Sequence, residues 1–182
     1  YEFGRNKNLD HQYLIGIPTK QIILPNALIY HEDYTYAGYR ASKANGEQNV
    51  TKQQGITLLP SDKFISNLQI LENDMKILAY HYVLVADVQP VNYFFDPKEG
   101  IMNLIDPGRY SVERFCHDDT KEEDSILKTR CNKLNQKQLE ALITILIYND
   151  LVKYKPLNSK AKLQRLRDYI KNDKDNMSYS EY

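Results

Sequence analysis

The sequence predicts an α+β fold, a mostly antiparallel sheet with an amphipathic helix packed on it, followed by a smaller C-terminal helical unit. Short β-branched and aromatic stretches punctuated by proline fill residues 13–39, which is strand chemistry. Two later segments repeat apolar residues at helical spacing. With 42% hydrophobic residues in 182, the chain has enough apolar material for one core without disulfides or a structural metal. The expected organisation is a sheet domain over residues 1–120, a helical unit over 121–172 packed on it, and a frayed tail over 173–182.

Each element has its own signal. Leu14–Ile17, Gln21–Leu24 and Ala27–Tyr30 read as strands of a small meander, with Pro18 and Pro25 at the turns because proline cannot donate to a sheet ladder. Tyr34–Arg40 alternates weakly and reads as a further strand with its tyrosines on show. Ser42–Gly55 holds almost no large aliphatic residue and contains Asn45-Gly46, so residues 42–55 read as a long exposed loop. Ser61 is an N-cap for a helix whose Phe64, Ile65, Leu68 and Leu71 share one face. Asn73-Asp74 reads as a break, and the apolar run Met75–Val88 as the central strand. Val91–Phe95 then forms a strand closed by the turn at Asp96–Gly100, with a second proline turn at Asp106-Pro107-Gly108. After an acidic connector over 116–124, Asn135 and Gln138 resemble a capping box before the apolar face of Leu139, Leu142, Ile143, Leu146 and Ile147. Leu151–Lys155 reads as a short strand ended by Pro156, and Ser159–Lys171 as a last helix.

Composition narrows the function classes. Basic and acidic residues both number 24, so no global field attracts nucleic acid or anionic membrane. The charge is divided unevenly: residues 121–182 carry +4 and residues 1–120 carry −4, and residues 151–171 alone carry +6. No stretch approaches the 18 or so consecutive apolar residues of a membrane helix. The two cysteines, Cys116 and Cys131, stand outside any zinc or CxxC spacing and read as reduced thiols, which favours an intracellular location. Because the sequence starts at Tyr1 it reads as a fragment or a processed chain, and a removed secretion signal stays open. The glycine-rich nucleotide motifs, HExxH and GxSxG are all missing, so the common enzyme classes lose weight and no cofactor or metal is expected.

Tyrosine is the unusual residue, with 15 copies against 5 Phe and no Trp. Its ring is apolar and its tip polar, which suits wet contact surfaces. The leading functional expectation is therefore a non-catalytic interaction protein, a subunit or adaptor that meets a protein partner through tyrosine-rich surface. Nucleic acid is a candidate partner through Lys153, Tyr154, Lys155, Lys160, Lys162, Arg165, Arg167, Tyr169 and Lys171, where cations interleave with rings. The same pattern also describes an ordinary solvated helix face.

The alternative is a small hydrolase or transferase built around His31, Glu32, Asp33 and a tyrosine, since an imidazole beside two carboxylates can exchange protons. Consecutive side chains usually point apart, however, and a polar turn explains the same triplet. Cys116-His117-Asp118-Asp119 offers a thiol beside a base, but catalytic pairs generally meet through the fold, and the run reads as an acidic connector. His81, in the expected central strand, is a further catalytic candidate, with a satisfied structural histidine as the plainer reading. A deep pocket gathering a histidine and a carboxylate would favour the enzyme, and flat tyrosine-rich surface the binder.

Overall fold

A helix ends where the first strand was expected to begin. The computed structural model describes residues 7–45, 48–49, 61–88, 90–96, 101–115 and 124–154, and within them the architecture is α+β. Helix α1 (Lys7–Leu14) buries Asp10, His11 and Leu14, positions i, i+1 and i+4 of one face. It stops where Gly16 turns into the left-handed region at φ 88°, a conformation that costs glycine little. The expected strand over Leu14–Ile17 is thus corrected to a helix end. Two of the three inward residues are polar, so the apolar period that marks a helix is missing.

Beyond α1 the chain passes through turns to β1 (Pro25–Tyr30), which pairs antiparallel with β2 (Tyr36–Ala41) as a hairpin. The expected strand at Gln21–Leu24 reduces to a single bridge between Ile22 and Leu104. Of the expected 42–55 loop, residues 42–45 carry no regular structure, β3 (Gln48–Asn49) is a short strand, and residues 46–47 and 50–55 lie outside the described residues.

Helix α2 (Ser61–Tyr80) runs 20 residues, straight through the expected break at Asn73-Asp74. Leu68, Leu71, Met75 and Leu78 are fully buried along one face. Asp74, also fully buried, accepts the backbone N–H groups of Lys20 (3.0 Å), Gln21 (2.6 Å) and Ile22 (3.0 Å), so a residue that favours caps in isolation is held inside the helix by tertiary contacts. The expected central strand over Met75–Val88 is accordingly corrected: its first six residues are helical, Tyr82 turns the chain at φ 60°, and only β4 (Val83–Leu84) is strand.

Strand β5 (Tyr93–Asp96) pairs antiparallel with β3 on one side and with β6 (Ile101–Leu104) on the other, and β7 (Ser111–Val112) pairs with β4. The proline turn at Pro107–Arg109 is one turn of 3-10 helix entered through Asp106.

Helix α3 (Asp124–Tyr154) is 31 residues long. Asn135 is not its cap but a fully buried residue in its middle: its Oδ1 accepts the N–H of Val85 at 2.9 Å, and its Nδ2 donates to the carbonyls of Met75 (3.2 Å) and Val83 (3.0 Å). The expected strand over Leu151–Lys155 is helix as far as Tyr154, and Lys155 lies outside the described residues. Leu139, Leu142 and Ile143 of α3 join Leu14, Leu71, Met75, Tyr93, Leu104 and Val112 in one core. Among the described residues no helix is long and apolar enough to cross a membrane.

Candidate functional site

Among the described residues the most exposed aromatic side chain, Tyr34, sits at the tip of the β1–β2 hairpin, and its geometry follows from the loop. The His31 carbonyl accepts the N–H of Tyr34 (3.0 Å) and the His31 N–H donates to the Thr35 carbonyl (2.9 Å), which closes a three-residue loop of Glu32, Asp33 and Tyr34. In such loops the last residue is left-handed and is usually glycine. Here it is Tyr34, at φ 64° and 89% exposed. Asp33 braces the loop by accepting the Thr35 N–H (2.9 Å) and hydroxyl (2.6 Å), bonds that hold its carboxyl below the usual range. Behind the tip, Ile29 (48% exposed) pairs with Gly38, which has no side chain to cover it, and Tyr30 (46% exposed) meets Tyr36 edge to face.

The enzyme candidates take their places around this tip. His31, Glu32 and Asp33 are all exposed, and the turn offers them no enclosing wall. His81 does not lie in a central strand; it falls in the turn after α2, half-buried and edge-on to the Tyr80 ring at 5.6 Å. Asp87 faces Arg109 (3.7 Å) and the Asn92 amide (3.4 Å). Cys116, His117, Asp118 and Asp119 lie outside the described residues, as do Lys155, Lys160, Lys162, Arg165, Arg167, Tyr169 and Lys171 of the basic cluster; Lys153 and Tyr154 belong to the last turn of α3. Cys131 is a buried thiol. Among the described residues no three His, Cys, Asp or Glu side chains gather as metal ligands.

A histidine that the sequence did not single out joins the hairpin to the body. His11 of α1 is 5% exposed; its Nδ1 is hydrogen-bonded to the Tyr36 hydroxyl, and its ring meets the Tyr39 ring edge-on at 4.7 Å. Burial, reinforced by the Lys7 ammonium, holds the imidazole below its ordinary pKa against the opposing pull of Asp10 and Asp106. Its Nε2 is buried without a partner, so the pair can fasten two elements but cannot reach a substrate.

Beside this joint, an open pocket of about 430 Å³ lies between the end of β2 with Ser42–Ala44 and the Ile105–Pro107 segment. Its walls are mostly apolar, with Tyr39, Ser42, Lys43 and Asp106 as the polar members. The pocket gathers a carboxylate without a histidine, since His11 stands behind Tyr39 and is not among the lining residues. No family model matches the chain, and no curated protein matches it significantly.

Proposed function

We propose that the chain is a non-catalytic interaction protein that docks a protein partner on the tip and open face of the β1–β2 hairpin. The observation that carries this reading is Tyr34, a large aromatic residue held in a left-handed backbone conformation and presented almost wholly to solvent. The conformation is unfavourable by roughly 1–2 kcal/mol for an L-residue, and glycine would avoid most of that. A strained position that keeps an exposed ring fits a contact surface better than a turn chosen for stability. Ile29 extends the exposed apolar surface along the open face of the hairpin, whereas Tyr30 points to the opposite face and donates its hydroxyl to Asn8 at 3.2 Å; exposed aromatic side chains such as Tyr34 commonly anchor interfaces. The His11 joint holds the hairpin to the body, so the surface is presented with little ordering left to complete on binding.

The test compares the parent with Tyr34→Gly and Ile29→Ser in native extracts of cells that make the protein. The parent is expected to migrate in size-exclusion chromatography in a complex heavier than the chain. Both variants, folded by circular dichroism, should shift toward the monomer. Unchanged migration of both variants would count against the hairpin as the docking surface.

A further inference from the structure

The pocket beside the hairpin joint combines two aromatic rings, apolar walls and one carboxylate. Tyr39 and Phe94 supply the rings, Ile23 and Pro107 the apolar walls, and Asp106 the acid. Asp106 is left-handed at φ 66° and ψ 64°, which turns its carboxylate back toward Gly108, where an added Cβ would lie 3.1 Å from Oδ1. Among the described residues this carboxylate makes no ion pair. Two polar atoms within its electrostatic reach, the Tyr110 hydroxyl and His11 Nε2, are buried without hydrogen-bond partners. Neither is a cation that could neutralise it while His11 is uncharged. The Lys7 ammonium of α1 donates to the Gly108 carbonyl at 3.1 Å and makes no ion pair with Asp106.

We propose that this pocket binds an organic ammonium ion carried on an apolar stem, with Asp106 as its counter-ion and Tyr39 and Phe94 against the cation and stem. Aromatic faces attract cations through the ring quadrupole, and the attraction grows where water is displaced. A carboxylate beside such rings gives the ammonium a charge-assisted hydrogen bond, while Ile23 and Pro107 cover the stem. Lys43 stands exposed at the rim, where water screens its repulsion of the bound cation. The pocket's volume of about 430 Å³ accommodates one aromatic amine with water to spare.

The experiment is a titration of the isotope-labelled full chain, followed by amide chemical shifts, with phenethylamine and with 3-phenylpropionate, its near-isosteric anion. Phenethylamine should give saturable shifts at the amides of Tyr39, Ala44, Phe94 and Ile105. It should bind at least about tenfold more tightly than the anion, the scale of one charge-assisted hydrogen bond. Asp106→Asn keeps a residue that tolerates the left-handed conformation and should lose about the same factor. Shifts that do not saturate, equal affinity for amine and anion, or an Asp106→Asn variant that binds phenethylamine undiminished would each overturn the assignment. The comparison of the two ligands on the unmodified chain stands whether or not the variant folds. It reads the pocket alone, independently of any partner on the hairpin.

Discussion

Replacing Asp74 with alanine should loosen the link between the segment after α1 and the body of the fold. The carboxylate accepts three successive backbone N–H groups, from Lys20, Gln21 and Ile22, at 2.6–3.0 Å. Lys20 is exposed, so its amide can turn to water, but Gln21 and Ile22 are buried and their N–H groups would be stranded. A stranded buried donor costs about 1–3 kcal/mol, which gives about 4 kcal/mol for two; the better helix propensity of alanine returns about 0.5 kcal/mol. For a chain of this size that corresponds to a fall in Tm of about 7–14 °C. Asp74→Asn keeps one acceptor oxygen and should lose about half as much. Thermal unfolding followed by circular dichroism measures the fall, and amide hydrogen exchange localises it. Ile23 and Leu104 should exchange faster, because the Ile23 N–H donates to the Leu104 carbonyl and the Leu104 N–H to the Gln21 carbonyl, both at 2.9 Å. An alanine variant melting within about 2 °C of the parent, with those amides still protected, would refute the reasoning.

Other expectations follow from the same geometry. Leu142 is fully buried in α3, so Leu142→Asp should destabilise by about 4 kcal/mol or more and Leu142→Ala by about 2–5 kcal/mol, read from denaturant midpoints. His11 is held below its ordinary pKa, so the unfolded chain takes up this proton first as pH falls; stability present above about pH 6.5 is lost progressively below it. A His11→Gln variant should show a flatter dependence of Tm on pH between about 7.5 and 5.5 than the parent, and an equal slope would remove His11 from the account. Should residues 151–171 contact a nucleic-acid backbone, replacing Arg165 and Arg167 with Glu should nearly abolish binding and flatten its salt dependence. Failure of the parent to bind single- or double-stranded DNA or RNA at low salt would end that reading.

The parts of the fold legible in the sequence are those where apolar periodicity and punctuation agree. The β1–β2 strands follow from Ala27–Tyr30 and the alternating tyrosines, and the start of α2 follows from Ser61 with Leu68 and Leu71 on one face. The parts that were not legible share one physical cause, buried polar side chains that resemble breakers or caps. Asp10 and His11 hide the inner face of α1, Asp74 imitates the end of α2, and Asn135 imitates the start of a helix that in fact begins at Asp124. Asp10, Asp74 and Asn135 are satisfied by partners distant in sequence: Asp10 by the Val112 N–H at 3.1 Å, Asp74 by residues 20–22, and Asn135 by Met75, Val83 and Val85. No local pattern announces such partners. Composition did not separate the buried Tyr82, Tyr93 and Tyr110, or Tyr36 and Tyr39 packed against His11, from the exposed Tyr34, and it did not mark the tip residue. The spacing of Asp33 and Thr35 marks a turn, whereas the left-handed position falls on Tyr34, where pattern alone expects glycine.

Site-specific photo-crosslinking tests the docking proposal most directly. A benzophenone amino acid placed at Tyr34, and in a control chain at the exposed Lys133 of α3, is activated in the cells that make the protein. The expected result is one discrete adduct from position 34, lost when Ile29→Ser is added and not formed from position 133. Adducts of equal yield from both positions, or an adduct from position 34 that survives Ile29→Ser, would contradict the claim that the hairpin tip and face dock the partner.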